Sequence, residues 1–336
     1  MSQRDKSVDF AKGMLMLCVI YGHLVDALCG GLAHPIVWMH SFVRTFDMPF
    51  FMVISGYFLK CSMERKSACR VVLDRLTMLF VPIVVWTLLR GHLNVFIGMY
   101  YFLWAVLASS LICVVARCMA SLCVNKITVL FEALLLIAVV ILLHVLNIPW
   151  NLFYLFPFFL LGLYLGDLEF KYSRRSMALL FLVFVIGLCF WSPIYTPWHI
   201  GALAWKTNLW ALLIYVYRAS LALVGIIIMS NGFRVIMSCL DDVPYVRGVL
   251  MDAGTETLAI YILQTIVVER LIRIVCKVLN ERLNVSFSDS YMNLLGYVIA
   301  PIGSFFILWM LLGIAKAIKR IPIVRYSFGF RYAMGH

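Results

Sequence analysis

The sequence predicts an all-α, polytopic membrane protein of about ten transmembrane helices with both termini cytoplasmic. Three observations carry that expectation. Hydrophobic residues make up 64% of the 336 residues and charged residues only 13%, a balance that no water-soluble globule requires. Apolar runs of about 18 to 23 residues, long enough to cross the hydrocarbon layer, recur along the whole chain. Lysines and arginines collect in every second joint between those runs, as cationic loops that resist translocation must. The formal net charge of +12 is therefore an orientation signal. No folded basic domain gathers it, so nucleic acid is not an expected partner.

The spans fall at roughly 7–29, 36–60, 76–93, 99–120, 127–146, 150–168, 177–192, 208–229, 254–276 and 291–315, as one membrane domain over residues 1–336. The first follows a short basic N-terminus but carries Asp9, Lys12 and His23 and lacks a small-residue cleavage site. It reads as a retained helix rather than a signal peptide. The second begins with His40, Arg44 and Asp47 and continues as MPFFMVISGY. There Pro49 removes a backbone donor, and Ser55 and Gly56 permit close helix contact. Arg90, His92, Glu132 and His144 lie in or at the ends of the third to fifth spans, and Phe153 to Phe159 form an aromatic packing or lipid-facing surface.

The segment from Trp191 to Trp205 suits an outward loop at the headgroup level. Arg218 sits deep in the eighth span, where a charge calls for a cavity or a partner. Asn231 to Ala253 is the longest polar interruption and reads as a cytoplasmic connection. The ninth span carries Glu256 and Glu269, and near its outer end Arg270, Arg273, Lys277 and Arg282 depart from the charge rule. The ten cysteines lie mostly inside apolar runs without a CxxC pair. They read as small buried side chains, with neither a disulfide framework nor a metal site expected.

Charge inside a span costs a few kcal/mol, and the first span concentrates it. Lys12 and His23 are eleven residues apart, which returns them to nearly the same helix face about 16 Å apart along the axis. Asp9 and Asp26 stand at i,i+3 spacing from them, where side chains meet. A carboxylate beside an imidazole fixes its tautomer and strengthens it as a base, so His23 and Asp26 form the candidate catalytic pair; a structural hydrogen bond for His23 is the competing reading. Arg44 and Asp47, also at i,i+3, neutralise each other or line a cavity.

Five stretches in order carry a resemblance. VDFAKGMLMLCVIYGHLVDA holds Lys12 and His23, a basic residue and a histidine separated by ten positions. FDMPFFMVISGYF, YYFLWAVL, LFPFFLLGLYLG and GTETLAIYILQ follow. Together they resemble the acyltransferase-3 family of membrane acyltransferases over essentially the whole chain. Where that family often carries histidine before Met-Pro and after Ile-Tyr-x-Leu, this chain has Asp47 and Gln264.

The resemblance implies transfer of an acyl group, usually acetyl from cytoplasmic acetyl-CoA, to a carbohydrate hydroxyl of the cell envelope at the inner membrane. The acceptor would be a surface glycan or its lipid-linked precursor. Acetyl-CoA is then a co-substrate, and no bound cofactor is implied. In that scheme His23 is general base or transient acyl carrier. Lys12 holds the donor's polar arm, and Arg70 and Arg75, with Arg65 and Lys66, dock its phosphates. Asp9, Arg44, Asp47, Arg218 and Glu256 line the cavity or meet the acceptor. Two rival readings fit the same composition: a secondary transporter, and a non-catalytic partner in polysaccharide assembly.

Overall fold

The computed structural model describes residues 6–28, 38–91, 100–121, 127–146, 152–165, 173–191, 209–283, 289–322 and 324–329. Among them there is helix and no strand. The helices are α1 (Lys6–Leu28), α2 (Trp38–Arg65), α3 (Ala68–Arg75), α4 (Val81–Leu89), α5 (Tyr101–Ser121), α6 (Ile127–Leu146), α7 (Leu152–Leu165), α8 (Arg174–Cys189), α9 (Leu209–Cys239), α10 (Pro244–Thr255), α11 (Thr257–Ile266), α12 (Arg273–Leu283), α13 (Asp289–Leu294), α14 (Ala300–Lys319) and α15 (Val324–Ser327). Wider π turns at Leu76–Phe80, Val267–Ile272 and Leu295–Ile299 join α3 to α4, α11 to α12 and α13 to α14. Six described stretches are long and apolar enough to cross a membrane: Lys6–Leu28, Trp38–Arg65, Ala68–Leu89, Tyr101–Ser121, Leu212–Cys239 and Met292–Lys319. Phe131–Leu143 and Leu152–Leu165 are shorter apolar helices. The chain is thus an all-helical, multi-pass membrane protein.

Local chemistry sets several helix ends. Ser173 stands in extended conformation before α8 and its hydroxyl accepts the Ser176 amide at 3.1 Å, satisfying one of the amides left open at a helix start. Gly91 follows α4 with a φ of 78°, the left-handed conformation in which glycine stops a helix. Pro244 opens α10, where its missing N–H costs nothing.

The chain divides into two compact units. The first comprises Met1–Asp47, Glu169–Pro193 and Leu221–Val324 and is organised around α1. A Cβ at Gly13 would lie 1.9 Å from the Leu250 carbonyl oxygen, and one at Gly254 would lie 1.7 Å from the Asp9 carbonyl oxygen. The backbones of α1 and α10 therefore touch, a contact that only small residues permit. Tyr21 of α1 also donates to the Gly296 carbonyl at 3.1 Å. The segment 231–253, the longest polar interruption, is mostly helix: α9 continues to Cys239, and α10 lies against the N-terminal half of α1. Within it Arg247 pairs with Asp241 and Asp252 with Lys316. The expected span 254–276 is broken at Glu256, where α10 gives way to α11.

The second unit comprises Met48–Leu168, Ile194–Ser220 and Arg325–His336. A Cβ at Gly56 would lie 2.0 Å from the Phe159 carbonyl oxygen, and one at Gly162 1.8 Å from that of Val53. The SGY and FFLLG motifs are thus two sides of one backbone contact. The Ser55 hydroxyl returns to the Phe51 carbonyl at 2.8 Å. Glu132 of α6 accepts a hydrogen bond from Tyr164 of α7 at 3.0 Å, and Arg90 stacks on Tyr100 with its guanidinium 5.3 Å from the ring centre. His92, the His144 side chain and residues 192–205 of the expected interfacial loop lie outside the described residues.

Glycine-to-alanine changes in α10 test the backbone contact. Alanine favours a helix over glycine by about 1 kcal/mol, and Gly248 faces open space. Gly248→Ala should therefore leave the protein unchanged or stabilise it. Gly254→Ala should destabilise it by about 1 to 3 kcal/mol, read as a lower thermal midpoint in detergent.

Candidate active site

The first unit gathers ionisable side chains from α1, α2 and the α11–α12 junction around His23. The His23 side chain keeps 19% of its surface exposed, and its Nε2 lies 3.4 Å from Glu269 Oε1. Its Nδ1 lies 3.5 Å from Arg44 Nη2. The same guanidinium nitrogen donates to Asp26 Oδ2 at 2.6 Å, and Nη1 stands 3.6 Å from Asp47 Oδ2. His40, 2% exposed, places Nε2 3.0 Å from the other Asp26 oxygen.

Each side chain is positioned by local structure. Arg44 fits beside α1 because residue 22 is glycine, where a Cβ would sit 2.9 Å from the guanidinium carbon. His40, Arg44 and Asp47 project from two successive turns of α2. Glu269 reaches His23 through the π turn Val267–Ile272. That wider turn also brings Gln264 into register five residues away, and Gln264 Nε2 donates to Glu269 Oε1 at 3.2 Å.

Asp26 was the carboxylate expected to orient His23. The structure places its two oxygens on Arg44 and His40, and the carboxylate facing the imidazole is Glu269. Arg44 of α2 draws one Asp26 oxygen into a charge-assisted contact, and His40, one turn earlier on the same helix, takes the other. Arg44 and Asp47 stand together as their spacing suggested.

The other expected residues lie elsewhere. Lys12 pairs with Asp9 at 3.0 Å toward the opposite end of α1. Glu256, 6% exposed, pairs with Lys319 at 2.5 Å. In the second unit, Arg70 Nε and Lys66 Nζ approach the two oxygens of Asp74 at 3.4 and 2.7 Å, and Arg75 ends α3 half-buried. Arg218 is only 1% exposed, and Tyr154 donates to its carbonyl at 3.4 Å. Among the described residues no group of three histidines, cysteines or carboxylates is placed to hold a metal ion.

Three contributors were not singled out from the sequence as site residues. His40 was visible as a polar residue entering α2. Glu269 and Gln264 were not recognisable as a pair, because spacing of five does not share a face on an ordinary α-helix; only the π turn makes it so.

Chemically, an imidazole between a carboxylate and a guanidinium can take a proton at one nitrogen while the carboxylate holds the other. A fixed arginine beside it can meet negative charge as it develops. Such a cluster on membrane-crossing helices is compatible with a transferase or a carrier. The decision between them comes from sequence comparison: residues 5–313 match the family described as "Acyltransferase domain", and the chain belongs to this acyltransferase-3 family. It is 28% identical over 299 residues to the nodulation protein NolL of Sinorhizobium fredii, covering 78% of each chain. It is 31% identical over 184 residues to the nodulation protein NolL of Mesorhizobium japonicum, covering 48% of each. No solved structure matches.

The Arg44 anchor yields a prediction about stability. Asp26→Asn leaves a partly buried guanidinium facing a neutral amide, so the unfolding free energy in detergent should fall by on the order of 3 kcal/mol. Asp241→Asn, which removes the exposed partner of Arg247, should cost under about 1 kcal/mol.

Proposed function

We propose that this protein is an O-acetyltransferase of the inner membrane that moves acetyl from cytoplasmic acetyl-CoA to a hydroxyl of an envelope glycan or its lipid-linked precursor. The observation that carries the reading is His23, held between Glu269 at 3.4 Å and Arg44 at 3.5 Å. Membership of the acyltransferase family supports it.

A sugar hydroxyl is a poor nucleophile until its proton is removed during attack. With the Nε2 proton directed at Glu269, the lone pair of His23 is at Nδ1, on the side of Arg44. The acceptor hydroxyl takes the place of the long Arg44 contact at Nδ1 and gives its proton to Nδ1. Its oxygen bonds to the thioester carbonyl carbon, and Arg44 stabilises the oxyanion that forms. Collapse breaks the C–S bond, and the leaving thiolate recovers the proton from the imidazolium. Glu269 stabilises that imidazolium while it lasts, as carboxylates do for catalytic histidines. Asp26, Asp47 and His40 act by fixing Arg44.

The donor's phosphates are assigned to Arg70 and Arg75, with Arg65 and Lys66, since arginine forks match phosphate oxygens. Lys12 receives the donor's polar arm. Asp9, Glu256 and Arg218 complete polar surroundings within the membrane domain. The reading includes a single domain of about ten spans with both termini cytoplasmic, and it places the His23 end of α1 toward the outer face.

The test uses membranes containing the protein, radiolabelled acetyl-CoA and the host's surface glycans. Label should enter the glycan with the unaltered chain and fall to background with His23→Ala. Glu269→Gln should lower the rate by about 10²- to 10⁴-fold, the range for a general base deprived of its support, with the KM for acetyl-CoA little changed. Wild-type rates with His23→Ala would exclude the mechanism.

A further inference from the structure

The cations that break the charge rule lie on the helix that supplies Glu269. Arg270 falls within the π turn, and Arg273 and Lys277 follow one and two turns beyond Glu269. All three are exposed. On α12, Arg273 and Lys277 share one stripe at i,i+4 spacing, while Ile274, Val275 and Val278 form a neighbouring stripe at i, i+1 and i+4, also exposed, at 53%, 55% and 42%. The helix therefore presents cations beside bare apolar side chains, at the end of α1 that carries His23.

From this juxtaposition of a cationic and an apolar stripe one to two turns from Glu269, we propose that Arg273 and Lys277, with Arg270, dock the phosphate or diphosphate of an acceptor glycan carried on a lipid. The proposal rests on the acyl-transfer reading and narrows its acceptor to the lipid-linked class. Three features select that occupant. An ion pair with phosphate returns a favourable interaction to cations that otherwise oppose the orientation set by the remaining joints. The apolar stripe meets acyl or prenyl chains in the bilayer, which a free polysaccharide lacks. Proximity to Glu269 gives the ligand a reason to be there, because the sugar attached to the phosphate is delivered to His23. Arg273 and Lys277 lie about 6 and 12 Å along the helix from Glu269, so the acylated hydroxyl belongs to a sugar near the phosphate.

The full chain in nanodiscs of neutral phosphatidylcholine provides the test, with farnesyl diphosphate as the probe and farnesol as its uncharged counterpart. The Arg273→Gln/Lys277→Gln double variant should bind the diphosphate at least ten-fold more weakly, with farnesol binding unchanged. Arg282→Gln, on the opposite side of α12, should bind like the unaltered protein. Equal diphosphate affinity in the double variant and the wild type would overturn the proposal. So would loss of diphosphate binding in discs containing phosphatidylglycerol, which would assign the strip to bulk anionic lipid headgroups. In the transfer assay, the double variant should raise the KM for a lipid-diphosphate-linked glycan at least ten-fold while sparing kcat and the rate with the same glycan freed of lipid. Diphosphate binding through the strip without any acyl transfer by the wild type would sink the transferase reading and leave the site standing. Transfer with an unaltered acceptor KM would do the reverse.

Discussion

Arg44 is an arginine inside an apolar helix, and the arrangement around His23 follows from how its charge is met. An isolated guanidinium at that depth costs several kcal/mol, so α2 is useful there only if another element brings anions to it. Asp26 of α1 and Asp47 of α2 do so at 2.6 and 3.6 Å. Satisfying Arg44 in this way ties α1 to α2, draws His40 onto Asp26, and leaves one guanidinium nitrogen within reach of His23 Nδ1. Gly22 is the steric condition for all of it, since any side chain there would displace the guanidinium.

A second constraint, purely steric, fixes α1 from its other side. Gly13 and Gly254 bring the backbones of α1 and α10 into contact, and the chain then breaks at Glu256 and continues through α11 into the π turn. In a bilayer, where burying apolar surface gives helices little reason to associate, such close packing supplies the attraction. Glycines and ions thus divide the labour: the glycines set how near the helices come, and the ions set their rotation.

The sequence discloses the parts of this arrangement governed by composition and short-range spacing. Apolar length reveals the helices, and i,i+3 spacing reveals the Asp9–Lys12 and Arg44–Asp47 pairs. The motifs around Lys12, Pro49 and Gly254 reveal the family. What spacing cannot disclose is competition. Asp26 has the same spacing from His23 that Asp9 has from Lys12, yet Arg44 and His40 hold its oxygens. Hydropathy averaging also misplaces α10, because Arg247, Asp241 and Asp252 look like loop residues until their ion pairs are known. Arg218 illustrates a related limit: its depth in α9 is readable, but its near-complete burial is a property of the packed helices.

Two of the positions where the chain departs from the family pattern, 47 and 264, converge on His23. Asp47 stands by Arg44, and Gln264 donates to Glu269. These are the two groups that flank the imidazole. A histidine at either position would be able to gain a proton and so change the charge around His23. Aspartate supplies a carboxylate to the arginine, and glutamine supplies Glu269 with an amide donor that does not ionise. With both in place, Arg44 faces a carboxylate of its own helix, and Glu269 faces a neutral amide donor. The departures therefore alter how the flanking groups are held, and they keep a carboxylate on one side of the imidazole and a guanidinium on the other.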